Sequence, residues 1–158
     1  MIILAIDPDL RKSGVASYDT FAKGLMSVES LPLWEVFEFA ERVKKHRPDD
    51  HIVLIERSSS KKTWHPGGDG ASQNVGKNKA IAELLIDFCK AKGVNFHCIE
   101  PDGYSSYYTA KIGGKAVFLK EQFQTDHEWY TPTNKDSRAA VGMIYRNKYL
   151  INNLKQPK

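Results

Sequence analysis

A run of apolar residues that stops on an acid constrains this chain most. Ile3-Leu4-Ala5-Ile6 leads into Asp7-Pro8-Asp9, and Arg11, Lys12 and Gly14 follow. Four consecutive apolar residues read as a strand entering a core. Asp7 then stands at the strand's carboxyl edge with no cation beside it in sequence, and an unpaired charge at a core margin is costly. It calls for a positive partner, either a side chain or a metal; a turn-forming Asp-Pro is the competing reading of Asp7 alone. A second apolar strand, His51-Ile52-Val53-Leu54-Ile55, ends the same way on Glu56 and runs into Arg57. Parallel strands in an α/β sheet put their functional ends on one side, so two acid-terminated strands point to one site.

The rest of the chain supplies a frame for such a sheet. Strand-like runs over Ile2–Ile6, Gly14–Tyr18 and roughly Ala22–Val28, separated by short polar turns, predict an antiparallel meander. Pro32 opens a helix, a favoured first position, with Leu33, Val36, Phe37, Ala40 and Val43 on its inner face. The strand Ile52–Ile55 is continuously apolar, as befits burial on both faces. Residues 57–74 read as a long polar loop, a length that is often functional in a compact domain. A helix with Ile81, Leu84, Leu85, Phe88 and Cys89 inward follows, then Gly93 and a fifth strand over Val94–Ile99. Residues 115–123 read as a further helix with Ala116, Leu119 and Phe123 aligned, and a last helix begins near Lys135 or Asp136 with Ala140, Val141, Ile144 and Tyr145 inward. The strand–helix–strand unit implies parallel pairing by a right-handed crossover. The expected fold is α/β: a mixed five-stranded sheet, three antiparallel strands then parallel ones, flanked by helices.

Composition narrows the function classes. At 158 residues the chain is one domain's worth and needs no disulfide or structural metal to bury a core. Cys89 and Cys98 lie in apolar surroundings and look like small core residues. The start reaches an acid too soon for a secretory leader, and no apolar run approaches the roughly 20 residues that span a bilayer. The expectation is a soluble, cytoplasmic protein. A net charge of +4 permits an acidic partner without demanding one. The excess is uneven: residues 57–80 carry Arg57, Lys61, Lys62, Lys77 and Lys79 against Asp69 alone. That is either a solvated face or a surface for a phosphate backbone.

Asp7, Glu56 and Asp136 can reach one place if the first two cap neighbouring strands and the third opens the last helix. There Asp136 is either a capping or first-turn acid, or a ligand aimed at the sheet edge. Carboxylates without His or Cys partners are hard oxygen donors suited to Mg²⁺ or Mn²⁺. Two such ions about 4 Å apart activate water and stabilise the leaving oxygen in phosphodiester cleavage.

The strand into IDP with a glycine beyond, the strand into IE, the helix GKNKAIAELLIDFCKAKG with strand VNFHCIEP, and the acid-bearing helix KDSRAAVGMI stand in one order. Together they resemble the RuvC family of Holliday-junction resolvases, in the ribonuclease H-like superfamily, over nearly the whole chain. The resemblance implies a metal-dependent endodeoxyribonuclease acting on four-way DNA junctions as a homodimer in a bacterial or phage-infected cell. It implies two Mg²⁺ per site, replaceable by Mn²⁺, with Asp7 shared, Glu56 on one ion and Asp136 on the other. Lys115 or Lys120 falls where the family places a lysine near the scissile phosphate.

Two departures stand out. The family carries a second acid one turn after the first on the last helix, and here that place holds Ala139. Either this is divergence, with Asp9 or water substituting, or an engineered Asp→Ala. The family's aromatic after the second strand acid is replaced by Ser58-Ser59-Ser60, with Trp64 nearest. Trp64 either stacks on an unpaired base, worth about 1–3 kcal/mol, or anchors its loop with His65. Tyr104, Tyr107 and Tyr108 read as packing or dimer residues. The alternatives are a junction-binding protein that does not cut, which Ala139 favours, and a RuvC-like ribonuclease of RNA processing. A sugar-kinase or actin-like ATPase, which also uses an Asp-bearing strand turn, is not expected, since such proteins need two domains around a nucleotide cleft and 158 residues are one domain's worth.

Overall fold

The computed structural model describes residues 1–57, 69–104, 108–112, 115–126 and 134–147. Strands β1 (Ile2–Asp7), β2 (Ser13–Asp19) and β3 (Gly24–Leu31) precede helix α1 (Leu33–His46), strand β4 (His51–Glu56), helix α2 (Asp69–Lys92) and strand β5 (Phe96–Ile99). Then come β6 (Thr109–Ile112), β7 (Lys115–Phe118), α3 (Lys120–Asp126) and α4 (Lys135–Arg146). The main sheet has the order β3-β2-β1-β4-β5, and β6 and β7 form a separate two-stranded ribbon. β1 runs antiparallel to β2 and parallel to β4, which is parallel to β5. The mixed five-stranded sheet expected from the sequence is therefore present.

Strand alternation divides the core in two. Ile3, Ala5, Ala16, Ile52 and Leu54 face one side, with Ala140, Val141, Met143 and Ile144 of α4 in the same cluster. Ile2, Leu4, Ile6, Val15, Val53 and Ile55 face the other, clustered with Val36, Ala40 and Val43 of α1 and Ile81, Leu85 and Cys89 of α2. Both central strands are sandwiched, which is why Ile2–Ile6 and Ile52–Ile55 run apolar without a break up to the terminal acid. Phe37 and Phe88 stack at 4.4 Å and join α1 to α2. His51, buried at the start of β4, hydrogen-bonds the Arg47 carbonyl through Nδ1 (2.6 Å) and accepts from the Asn95 amide at Nε2 (3.2 Å). One imidazole thereby ties β4 to the chain leaving α1 and the chain entering β5.

Four local readings need correction. Pro32 is the N-cap of α1, one residue before the first helical position. Residues 69–74 belong to α2 instead of the polar loop. They lack apolar periodicity because this part of the helix precedes its first buried described side chain, Ile81. On α2 the buried stripe is Ile81, Ala82, Leu85, Ile86 and Cys89, and Leu84 is 52% exposed. Finally, 115–123 is not one helix. β7 ends at Phe118 and α3 begins at Lys120. The sequence Ala116-Val117-Phe118 has the β-branched and aromatic character of a strand, and pairing with β6 outweighed the helical spacing of Ala116, Leu119 and Phe123. Of the packing or dimer roles expected of the tyrosines, Tyr104 and Tyr108 take the first, buried in the α4-side cluster; Tyr107 lies outside the described residues.

Candidate active site

Register places the two strand acids side by side. Ile6 pairs with Ile55 across the parallel β1–β4 ladder, so Asp7 and Glu56 are the next positions on strands about 4.8 Å apart. Asp7 has the parity of Ile3 and Ala5, and Glu56 that of Ile52 and Leu54. Both acids therefore belong to the face that α4 covers. Across β1–β2, Asp7 pairs with Gly14, and across β2–β3, Gly14 pairs with Ser30. One row of the sheet thus reads Ser30, Gly14, Asp7, with Glu56 beyond.

α4 begins over this row. Asn134 caps it: its Oδ1 accepts from the Ser137 amide (2.8 Å), and the Ser137 Oγ accepts from the Asn134 amide (3.0 Å), a reciprocal capping box. The Asn134 Nδ2 also donates to Ser30 Oγ at 3.0 Å. With its cap hooked to β3, the first turn lies across β2 and carries Asp136 toward Asp7.

The electrostatics report that convergence. Burial, then the neighbouring Glu56 and Asp136 charges, push Asp7 from 3.8 up to about 8, against a downward pull from Lys135. Asp136 is also raised, by burial and then by Asp9, with Lys135 and Arg138 opposing. Asp9 adds to the rise of both acids. The turn after β1 holds it: its amide donates to Ser13 Oγ (3.3 Å), and its Oδ1 accepts from the Arg11 amide (3.0 Å). Such a site favours a cation, which would relieve the mutual repulsion. Among the described residues no three metal-donor side chains close into a ready-made cage. Mg²⁺ does not require one, since it keeps several waters and takes one or two carboxylates plus substrate phosphate. Asp7, Glu56 and Asp136 are hard oxygen donors whose chemistry suits such an ion, and Glu56, Asp136 and Asp9 are all near enough to raise Asp7. Ala139 is 3% exposed and belongs to the core cluster under α4, so it adds no oxygen.

The protein-family models contain no match to the sequence, and neither do the curated proteins. The likeness is three-dimensional. RuvC of Thermus thermophilus, solved in complex with Holliday junction substrate, matches with a TM-score of 0.58 at 12% identity, covering 97% of this chain and 96% of that one. Thermus thermophilus RuvC in a second structure gives 0.56 at 13% identity, with 98% of both chains covered. The fowlpox virus Holliday junction resolvase gives 0.54 at 14% identity, over 96% of this chain and 99% of that one. The fold is ribonuclease H-like.

In this ribonuclease H-like frame the remaining sequence candidates separate. Arg57 follows Glu56 but is engaged by Glu83 of α2, with Nε 2.8 Å from Oε1. That contact marks where α2, held on the sheet by Ile81, Leu85 and Cys89, passes the end of β4. The helix before Glu83, about 14 residues at 1.5 Å each, extends up to roughly 20 Å beyond the contact. Lys77 and Lys79 lie on this extension, Lys77 exposed and Lys79 half-buried. Lys61, Lys62, Trp64 and Ser58–Ser60 lie outside the described residues. Lys115 and Lys120 are both exposed, at the start of β7 and the start of α3. Phe118 is covered by the Arg138 guanidinium, 4.3 Å above its ring centroid. This contact ties the Lys120 end of β7 to the first turns of α4. Sequence reasoning missed Ser30, Asn134 and Arg138. Asn134 followed by Ser137 is a legible capping signal, whereas Ser30 becomes visible only through register.

Proposed function

We propose that this protein is a divalent-metal-dependent endonuclease that resolves four-way DNA junctions, cutting as a homodimer. The observation that carries the reading is the meeting of Asp7, Glu56 and Asp136 on one face of one sheet edge, where burial and like charge raise Asp7 to about 8. A bound Mg²⁺ or Mn²⁺ pair there would supply an activated water and counter-charge for the leaving oxygen. Asp7 would contribute to both ion positions, Glu56 to one and Asp136 to the other. Asp9 would hold part of the water shell on the side where Ala139 contributes nothing. To do this Asp7 must shed its proton. Lys115 or Lys120 would hold the scissile phosphate, both being exposed, at the start of β7 and the start of α3. Lys77 and Lys79 on the α2 extension, with Arg57, Lys61 and Lys62, would track the backbone of an arm, and Trp64 would stack on an unpaired base. Two symmetric cuts need two sites related by a twofold axis, which a closed dimer supplies. The nicks would carry 5′-phosphate and 3′-hydroxyl ends.

A junction binder that does not cut is the second reading, favoured by the core alanine at 139. Labelled four-way junction and matched duplex, incubated with Mg²⁺ or Mn²⁺ and then with chelator, separate the two. Paired nicks confined to the junction and abolished by chelator are expected. Tight junction binding without nicks would replace this reading with the second.

A further inference from the structure

The start of α4 lies closer to β2 than any side chain would permit. A Cβ built on Gly14 would sit 2.0 Å from the Asp136 carbonyl carbon, 2.1 Å from its oxygen and 2.4 Å from the Ser137 amide nitrogen. Real Cβ contacts essentially never fall under 3.0 Å, so α4 would have to retreat by about 1 Å or more. The colliding atoms are backbone and cannot swing aside. Backbone freedom does not explain this glycine, because it sits within strand β2 and is not among the positive-φ positions, Lys23, Gly93 and Gly103. What Gly14 provides is space, and the space is beside Asp7, its register partner. Ser30, its partner on the other side, holds the α4 cap through Asn134.

We infer that Gly14 is a positioning residue of the active site. Its bare Cα is the seat of α4, and the depth of that seat sets how near the Asp136 carboxylate comes to Asp7. Ser30 is the accompanying latch, fixing the helix cap along the same row of the sheet. A shallower seat withdraws Asp136 while leaving Asp7 and Glu56 in place, so the loss falls on ion binding and on turnover before it falls on DNA affinity. The inference rests on the reading of these acids as the metal-holding group.

The test measures Mn²⁺ binding to the full chain by electron paramagnetic resonance, with kcat and KM on a labelled junction, for wild type, Gly14→Ala, Ser30→Ala and Ser30→Thr. Partners that orient metal ligands typically cost about 10–100-fold in metal affinity when removed. Folded Gly14→Ala is expected at about tenfold or worse, with kcat lowered and KM for DNA unchanged. Ser30→Ala should lose less in the same direction, and Ser30→Thr, which keeps the hydroxyl, should recover it. Wild-type Mn²⁺ affinity and kcat in a folded Gly14→Ala would overturn the inference. If Gly14→Ala does not fold, unchanged Mn²⁺ affinity in Ser30→Ala overturns it instead. Absence of Mn²⁺ binding in wild type is a distinct result, and sinks the metal reading and the inference together.

Discussion

Asp7 concentrates the chemistry at the scale of single residues. An unfolded Asp titrates near 3.8, whereas the folded site holds this proton up to about 8. The folded state therefore binds the proton more tightly, and the stability linked to it is complete below the lower value. It is lost progressively as pH rises through that window and is constant above about 8. At 1.36 kcal/mol per unit, a shift of this size amounts to order a few kcal/mol. Urea midpoints of the metal-free protein should fall between about pH 5 and pH 9, and Asp7→Asn should remove most of that fall while abolishing cleavage. An equal fall in Asp7→Asn would mean that Asp7 is not the titrating group. Added Mn²⁺ should restore the wild-type midpoint at high pH, because the cation replaces the proton as the neutralising charge. Cys89 behaves oppositely in function: burial pushes its thiol up to about 11, which makes it an inert core residue, as its apolar neighbours suggested.

Elements are where packing overrode local pattern. Of the two leucines expected inward on α2, Leu85 is fully buried and Leu84 is 52% exposed. Leu85→Ala should cost about 2–5 kcal/mol and Leu84→Ala no more than about 0.5 kcal/mol, read from denaturant unfolding. Comparable losses at both positions would show that a partner covers Leu84. The α4 cap is a second element-scale test. Removing the Asn134 side chain with Asn134→Ala should cost about 1 kcal/mol. Asn134→Asp keeps the acceptor for the Ser137 amide and should cost less, while losing the Nδ2 donor to Ser30. The order of the two melting points checks whether the cap or the latch dominates stability.

The whole molecule is organised by one sheet edge. The central strands β1 and β4 end there, α4 starts there, and α2 extends beyond it with Lys77 and Lys79. Binding a junction on that edge should show a steep salt dependence, because each phosphate neutralised releases counterions. Lys77→Ala with Lys79→Ala should lower the slope of log K against log salt by about 1 for each phosphate that is no longer neutralised. A parallel loss of affinity with no change of slope would move these lysines off the DNA path. Sedimentation should give twice the chain mass if two copies assemble as proposed.

The sequence by itself determined the sheet and its two strand acids. Apolar runs such as Ile3–Ile6 and Ile52–Ile55 are buried on both faces, and burial writes itself into every residue of such a strand. The terminal Asp7 and Glu56 are legible because an acid ending that run has no solvent-facing excuse. Only the tertiary structure decided how Asp136 reaches them. Its helix is seated by Gly14 and latched by Ser30, residues 122 and 106 positions upstream of it. Those contacts come from strand register, which no local pattern encodes. The same holds for β7, where Ala116-Val117-Phe118 suits either element until β6 offers its hydrogen bonds. Patterns of burial can be read along a chain, but distances between its parts are fixed only when the sheet aligns them.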